Sequence, residues 1–333
     1  MKQLVCGLVA LGVLVAGSGG VMGQPAFVYS TLDVPGATIT EPHGISNSGQ
    51  VVGAFTTSAL PPLVEHGFLY SGGSYTTIDV PGASSTWGYG INGAGQVVGA
   101  FQDFGLHGFL RSGGVYTTLD GPPGSVLTEA HGINSSGQIV GFYEGSSGNN
   151  GFLLSGGSLT TLKVPSAGMT GTQAYGINDA GQVVGGYYDA SPRGVGHGFL
   201  YSGGSYTTLD VPGAAFTRAL GISNTGVIVG AYELTTGSDD HAFLYSDGNY
   251  LTFDVPGAIL TEAYGINDAG QIVGLYSGRD GAHGFLATPT PEPSTLVLLV
   301  VGALSMIGYR WRWRGPGRVA SNGLDGAGGF AHR

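Results

Sequence analysis

Short apolar segments separated by turn residues recur along most of the chain, and the copy at residues 174–213 shows the pattern most clearly. Four of its segments are rich in β-branched and aromatic residues, at 174–178, 182–188, 198–201 and 206–211. Segments of this kind, bounded by glycine, asparagine and aspartate, are typical of short β-strands. Several are apolar at consecutive positions, which indicates strands that are covered on both faces. Each copy therefore predicts four buried strands.

The motif Gly-Ile-Asn or Gly-Ile-Ser sets the period of the repeat. It begins at positions 44, 90, 132, 176, 221 and 265, at intervals of 46, 42, 44, 45 and 44 residues. Four strands in about 40–45 residues are typical of one β-propeller blade. Residues 28–36 resemble a fourth strand with no unit before it, and residues 283–286 resemble a third strand with no fourth after it.

These half-units predict an all-β fold, a six-bladed β-propeller of four-stranded blades over residues 24–288. The N-terminal strand would complete the last blade and close the ring. An open β-solenoid is the alternative, but it does not need complementary half-units at its ends.

Glycines mark both the turns and the second strand of each copy. Asn-Asp-Ala-Gly at 178–181 and 267–270 predicts a tight hairpin that needs a positive φ angle. A glycine inside a strand indicates a bulge or a close approach of another backbone segment. Such a glycine occurs in all six second strands, at Gly53, Gly99, Gly141, Gly185, Gly230 and Gly274.

The two ends of the chain differ in composition from the repeats. Lys2, an apolar run at 4–16 and small residues up to Gly23 predict a secretory signal peptide over residues 1–23. Residues 289–333 contain an apolar run at 296–309, which predicts one C-terminal transmembrane helix, followed by a basic tail. The arginines of that tail favour the cytoplasmic side of the membrane. An uncleaved N-terminal anchor and a plain C-terminal membrane anchor are the alternatives.

Two parts of the sequence resemble known families. His-Ala-Phe at 241–243, with His-Gly-Phe beginning at His66, His107, His197 and His283, is similar to the HAF family of extracellular repeats. That resemblance implies a secreted, propeller-like body, in a family with no settled biochemical activity. The third copy departs from the pattern, because Asn150 replaces the histidine.

The C-terminal segment resembles the PEP-CTERM sorting signal of Gram-negative bacteria. The resemblance rests on Pro291-Glu292-Pro293, the hydrophobic run, and an arginine cluster of Arg310, Arg312 and Arg314. It implies recognition and cleavage by an exosortase-type processing enzyme. Residues 315–333 extend past the point at which such signals normally stop. We expect an exported protein, transiently anchored in the inner membrane and destined for the cell surface or extracellular matrix.

Charge and cysteine content exclude several functional classes. Residues 24–290 contain 5 Lys and Arg against 19 Asp and Glu. This acidic balance argues against nucleic-acid binding, which depends on cationic contacts to phosphate. The only cysteine, Cys6, lies in the predicted signal peptide, so the body has neither a disulfide nor a thiolate site. The sequence indicates no cofactor.

The first strand of each copy carries the candidate binding residues, on the face with the most variable loops. If that strand is innermost, two rows of side chains line the mouth of a central channel. One row lies three residues before Gly-Ile: Glu41, Trp87, Glu129, Gln173, Arg218 and Glu262. The other lies directly before that glycine: His43, Tyr89, His131, Tyr175, Leu220 and Tyr264. These acids and aromatics could hold a glycan, or the aromatics could simply pack between blades while the acids are solvated.

Other chemical assignments from the sequence are weaker. Glu41, Glu129 and Glu262 could support glycosidase or lyase chemistry, which requires a carboxyl separation that sequence does not supply. A hydrogen bond repeated in each copy explains the recurring histidines better than a metal ring does. The aspartates that precede turns, Asp33, Asp79, Asp120, Asp210 and Asp254, are expected to accept backbone hydrogen bonds. One carboxylate per loop, as at Asp179 or Asp268, is too few for calcium.

The sequence therefore favours a non-catalytic cell-surface protein that binds glycans such as exopolysaccharide, or other components of the extracellular matrix. A carbohydrate-active enzyme and a purely structural envelope protein are the alternatives.

Overall fold

The computed structural model describes residues 27–58, 63–191 and 194–290, and these ranges contain 24 β-strands and no helix. The described chain is therefore all-β, as the sequence predicts. No helix long and apolar enough to cross a membrane occurs within these ranges. The predicted signal peptide, transmembrane helix and basic tail lie outside the described residues, and so does the sorting motif with Pro291, Glu292, Pro293, Arg310, Arg312 and Arg314.

Each repeat forms a group of four strands, and we number the groups as sheets 1 to 6. Sheet 1 contains β2 (Ile39–Ile45), β3 (Val51–Thr56), β4 (Glu65–Ser71) and β5 (Ser74–Thr77). Sheet 2 contains β6 (Ser85–Ile91), β7 (Val97–Gln102), β8 (Leu106–Ser112) and β9 (Val115–Leu119). Sheet 3 contains β10 (Leu127–Ile133), β11 (Ile139–Gly145), β12 (Gly148–Ser155) and β13 (Ser158–Leu162).

The second half of the described chain repeats this order. Sheet 4 contains β14 (Ala167–Ile177), β15 (Val183–Asp189), β16 (Gly196–Ser202) and β17 (Ser205–Leu209). Sheet 5 contains β18 (Phe216–Ile222), β19 (Ile228–Glu233), β20 (His241–Ser246) and β21 (Asn249–Phe253). Sheet 6 contains β22 (Leu260–Ile266), β23 (Ile272–Gly278) and β24 (Gly281–Pro289), joined by β1 (Phe27–Thr31) from the other end of the described chain.

The fourth strand of sheet 6 comes from the N-terminal side. β1 runs antiparallel to β24, with Phe27 opposite Pro289 and Thr31 opposite Phe285. This is the pairing that the half-units predict, although β1 is shorter than the proposed segment 28–36. Within sheets 1 to 5, consecutive strands pair antiparallel as hairpins. Sheets 2, 3 and 4 are also joined by single parallel bridges, Leu106 to Leu127 and Asn149 to Gly171.

The core lies between neighbouring sheets. The third strand of each repeat contributes a phenylalanine that is no more than 1% exposed: Phe68, Phe109, Phe152, Phe199, Phe243 and Phe285. In the cluster around Phe243, for example, Val184 of sheet 4 packs with Leu209 and Ala219. Burying one such side chain stabilises the fold by about 1.5–3 kcal/mol. Each sheet therefore depends on its neighbours for its apolar contacts.

The glycine of the second strand marks a close approach. A β-carbon added to Gly53 would overlap the carbonyl oxygen of Glu41 and lie 2.6 Å from the ring of Phe68. The bulge lies in the opposing first strand, where the register shifts between Pro42 and Gly44. The same arrangement of bulge and glycine recurs in the other five sheets.

The first strands of all six sheets meet at one cavity, and we call the line through this cavity the axis. This cavity of ≈ 80 Å³ is lined by a glycine and an isoleucine from each of them. The β-carbon sites of Gly44 and Gly265 lie 2.6 Å from the carbonyl oxygens of Tyr89 and His43, respectively. These backbones approach so closely that only glycine fits between them.

Candidate functional site

A second cavity on this axis has a volume of ≈ 150 Å³ and lies on the side where the first strands begin. We call it the axial cavity. Its wall is formed by residues that the sequence places directly before the Gly-Ile motif, together with one arginine: His43, Tyr89, His131, Tyr175, Leu220, Tyr264 and Arg218. Because the six strands share one register, one position in the repeat becomes one ring of side chains. The structure therefore brings the whole predicted aromatic row together.

The aromatic side chains contact one another around the cavity. Tyr89 stacks on His131 with ring centroids 4.2 Å apart, and His43 lies 5.1 Å from Tyr89 and 4.9 Å from Tyr264. His131 also meets Tyr175 at 5.2 Å. The aromatics thus pack between repeats and line a cavity at the same time, so the two interpretations from the sequence are not exclusive. Leu220 occupies the sixth position.

The other predicted row stands two residues earlier on the same strands, and it holds the polar atoms of the aromatic row. Tyr175 donates a hydrogen bond to Gln173 at 2.7 Å, and Tyr264 donates one to Glu262 at 2.5 Å. Glu129 lies within hydrogen-bond distance of His131 at 3.0 Å, whereas Glu41 lies 3.7 Å from Nε2 of His43, and that buried nitrogen has no hydrogen-bond partner among the described residues. Five members of this row, Glu41, Trp87, Glu129, Gln173 and Glu262, do not line the cavity itself; Arg218 does.

Two further acids belong to this site and were not predicted from the sequence: Asp240, in the loop before β20, and Glu65, the first residue of β4. Asp240 accepts a hydrogen bond from the Arg218 guanidinium at 3.0 Å, while Glu262 binds the same nitrogen at 2.7 Å. Glu65 accepts a hydrogen bond from the indole nitrogen of Trp87. Both acids stand directly before the histidine of the third strand, and that position could have identified them. The third strand reaches the first strand of the next repeat there, as the Leu106–Leu127 bridge shows.

Burial controls the charge of the site. It raises the pKa of Glu41 to about 7, with further contributions from Glu65 and Glu262. It lowers the pKa of His43 to about 3, so this imidazole is neutral at physiological pH. It also raises the pKa values of Tyr89 and Tyr264 well above the usual value, which keeps both phenols protonated. At neutral pH the rings of His43, Tyr89 and Tyr264 are therefore neutral, and the same wall contains the guanidinium of Arg218.

Burial disfavours the charged form of Arg218, but Glu262 and Asp240 more than offset this and raise its pKa. Burial also raises the pKa of Asp240 to about 6, against the attraction of Arg218. The guanidinium therefore stays charged and joins sheet 5 to sheet 6 at this end of the axis.

The recurring histidines lie outside the axial cavity and form a repeated hydrogen bond with an aspartate. His66, His107, His197, His241 and His283 each place Nδ1 within 2.7–2.9 Å of an aspartate oxygen, on Asp79, Asp120, Asp210, Asp254 and Asp33. The repeated hydrogen bond predicted for the histidines is therefore present. Asp79 and Asp33 also accept a backbone N–H, from Gly67 and Gly284, as the sequence predicts.

The pairing of the recurring histidines with the aspartates before the turns was not predicted from the sequence. The signal was their constant spacing of 13 residues within a repeat, which also explains the third copy: Asn150 replaces the histidine and Lys163 replaces the aspartate. Sheet 6 takes its aspartate from Asp33 on the far end of the described chain. Among the described residues, no group of three or more His, Cys, Asp and Glu is arranged to hold a metal ion.

The other end of the axis carries a hydrogen-bonded belt around a cavity of ≈ 130 Å³. Asp268 accepts hydrogen bonds from the backbone of Asn224 at 2.7 Å and from the side chain of Asn47 at 2.6 Å. Asp179 accepts one from the backbone of Ser135 at 2.8 Å, and this bond lowers its pKa. Both carboxylates therefore tie the hairpins of neighbouring sheets together.

A larger cavity of ≈ 720 Å³ lies between sheets 5 and 6. Its lining includes Leu244, Tyr250 and Ile266, with Phe27 and Pro289 at the edge of the described chain. The axial cavity has a wall of aromatic rings with a few convergent polar groups, which are the features expected of a binding site. It is therefore the better basis for a functional proposal.

No protein-family model and no functionally curated protein matches the chain. Solved structures do resemble it. A triple arginine-to-alanine mutant of AofleA from Arthrobotrys oligospora is 13% identical, with a TM-score of 0.46 over 78% of this chain and 90% of that one. The fucose-specific lectin from Aleuria aurantia is also 13% identical, with a TM-score of 0.43 over 79% of this chain and 100% of that one.

The β-propeller domain of the Trilobed protease from Pyrococcus furiosus is 8% identical, with a TM-score of 0.46 over 75% of this chain and 84% of that one. These neighbours are similar to the chain in the general path of their strands. Similarity at this level supports no conclusion on ligand or activity.

Proposed function

We propose that residues 24–288 form a closed six-bladed β-propeller that binds glycans or extracellular-matrix components at the axial cavity, without catalysis. Contacts between sheets 6 and 1 support closure. The side chain of Asn267 donates a hydrogen bond to the carbonyl oxygen of Ser46 at 3.2 Å, and the side chain of Asn47 joins Asp268. Equivalent asparagine contacts link sheets 2 to 3, 3 to 4 and 4 to 5.

The observation that carries the binding proposal is the cavity walled by five aromatic rings and Arg218. Tyrosine and histidine present an apolar face together with a polar edge, which suits the alternating apolar and hydroxyl surfaces of a sugar. Pockets for drug-sized ligands measure about 300–1,000 Å³. A volume of ≈ 150 Å³ therefore suits one sugar unit, such as the end or a branch of a chain.

The proposal includes export, cleavage of residues 1–23, and processing of the C-terminal signal by an exosortase-type enzyme at the membrane. It rests on the sequence features of both ends. Mass spectrometry of the protein recovered from the cell surface tests it directly. A mature chain that begins near residue 24 and ends near residues 291–293 is the expected product, and a full-length surface protein would contradict it.

Leu220→Tyr is the sharpest test of the binding site. The other five repeats carry an aromatic residue at this position, so tyrosine suits the local backbone and fills part of the cavity. We expect binding on a glycan array to fall with little loss of thermal stability. Leu159→Tyr is the matched control, because the other repeats carry tyrosine at that position on the fourth strand. Equal glycan binding by both variants would remove the axial cavity as the site.

One observation favours an enzyme as the second candidate. Glu41 has a pKa raised to about 7, as expected of a general acid, while Glu262 is paired with Arg218 as a carboxylate would be. Release of reducing ends from exopolysaccharide by the purified body, lost in Glu41→Gln and Glu262→Gln, would establish this activity. Absence of release from all substrates that bind would leave the protein as a binder.

A further inference from the structure

The charges around the axial cavity are unbalanced. Five acidic side chains lie around it, on Glu41, Glu65, Glu129, Asp240 and Glu262, each joined to a wall residue or to a neighbour of one. Burial raises the pKa of Glu41 to about 7 and that of Asp240 to about 6, so the negative charge at about pH 6 is carried chiefly by the other three. Against them stands the single guanidinium of Arg218. A ligand entering this end of the axis therefore meets an excess of negative charge.

The imbalance is confined to one side of the cavity. Arg218 neutralises the side formed by sheets 5 and 6, at 3.0 Å from Asp240 and 2.7 Å from Glu262. On the side formed by sheets 1 to 3, no lysine or arginine of the described ranges lies within 4.0 Å of the carboxylates of Glu65 and Glu129, and the basic side chain that contacts Glu129 is the imidazole of His131, at 3.0 Å. Low solvent access on this side weakens screening, since the side chain of Glu129 is 18% exposed.

Aromatic rings cover that same side. Tyr89 and His131 stack there in the cavity wall, and His43 lies against Tyr89. The face of an aromatic ring attracts a cation placed within about 6 Å, and nearby carboxylates strengthen the attraction. Aromatic walls backed by carboxylates that no lysine or arginine neutralises favour an organic ammonium group and disfavour an anion.

We propose that the axial cavity selects a sugar unit that carries a free, positively charged amino group, and that it rejects uronic acids. This inference rests on the proposed glycan-binding function and names its ligand class. The ammonium group lies inside the cavity against its aromatic wall, and the carboxylates of Glu65 and Glu129 attract it from behind that wall. The sugar ring packs against the remaining aromatic wall, while the Arg218 ion pairs stay intact.

Isothermal titration calorimetry with three tetrasaccharides tests the selectivity at about pH 6, where the sugar amine is protonated. The probes are β-1,4-linked glucosamine, its N-acetylated counterpart and an α-1,4-linked galacturonic acid tetramer. We expect the glucosamine tetramer to bind about tenfold more tightly than the N-acetylated one. The galacturonic acid tetramer should bind most weakly, and the preference should decrease as salt is raised.

Glu65→Gln and Glu129→Gln remove one charge each while keeping the shape, and each should reduce the glucosamine preference by about threefold. Asp280→Asn is the matched control, because this aspartate is 78% exposed and lies outside the cavity wall. Thermal unfolding identifies any variant that fails to fold. In that case, the salt dependence of the glucosamine preference in the native protein tests whether the carboxylates attract the amino group. Equal or tighter binding of the N-acetylated tetramer would overturn the selectivity while glycan binding stands. Binding of none of the three, with a blank glycan array, would overturn the proposed function as well.

Discussion

Replacing Gly185 by alanine tests the packing rule on which every sheet depends. An added β-carbon would overlap the carbonyl oxygen of Gln173 and lie 2.6 Å from the ring of Phe199. Neither neighbour can move easily, because the carbonyl belongs to the bulged first strand and Phe199 is fully buried. Gly185 does not adopt a positive φ angle, so backbone strain does not contribute. The cost of Gly185→Ala in the folded state is therefore steric.

Two opposing effects decide the magnitude. Alanine reduces the conformational freedom of the unfolded chain, which stabilises a protein by about 0.4–1 kcal/mol where the residue fits. Forcing an extra carbon into a well-packed core costs about 1–3 kcal/mol. The steric cost wins at Gly185, and we expect a net loss of about 1–2 kcal/mol in the free energy of unfolding.

The neighbouring glycine provides the control on the same strand. A β-carbon on Gly186 would meet its nearest atom, on Tyr175, at 3.6 Å, which is an ordinary contact. Gly186→Ala should therefore be neutral or stabilise by up to about 1 kcal/mol. Urea denaturation followed by tyrosine fluorescence compares the two variants with the native protein. Equal stability of Gly185→Ala and Gly186→Ala would refute the close-approach argument.

Three further predictions concern polar groups. The raised pKa of Glu41 means that the folded state binds a proton more tightly than the unfolded state, so this residue makes stability fall as pH rises from about 4.5 to about 7. The melting temperature of Glu41→Gln should fall less over this pH range than that of the native protein, and an equal fall in both would contradict the prediction. A double-mutant cycle of His197→Gln and Asp210→Asn should give a coupling of about 0.5–1.5 kcal/mol, and additive effects would show that their 2.9 Å contact contributes nothing. Asn178→Ala should cost about 1–3 kcal/mol because it removes the buried amide that donates a hydrogen bond to the carbonyl of Ser223 and accepts one from the backbone N–H of Gln182, and a melting temperature equal to that of the native protein would exclude this role.

Much of the fold could be predicted because a repeat reports the same local structure six times. The turn glycines, the strand count and the pairing of β1 with β24 all follow from the period and from the half-units at its ends. Strand bounds were less accurate. The first strand of the fourth repeat begins at Ala167 rather than at 174, since its start pairs with Asp189 across an irregular register that local composition does not encode.

The candidate site was predicted in outline for the same reason. A position conserved in register places His43, Tyr89 and their equivalents at one height on the axis. The contributions of Asp240 and Glu65 were not predicted, because their partners, Arg218 and Trp87 respectively, lie 22 residues away in the chain, on a different strand. The pairing of Arg218 with two acids needed distances between sheets.

The sequence alone determined the repeat, its strands, its turns and two candidate rows of side chains on the first strands, because these depend on local composition and a constant period. Only the tertiary structure decided which row faces the cavity, which acids Arg218 neutralises and which are left without a cation. Those outcomes depend on how six sheets pack side by side, and packing sets distances between residues that are about 40 or more positions apart in the chain.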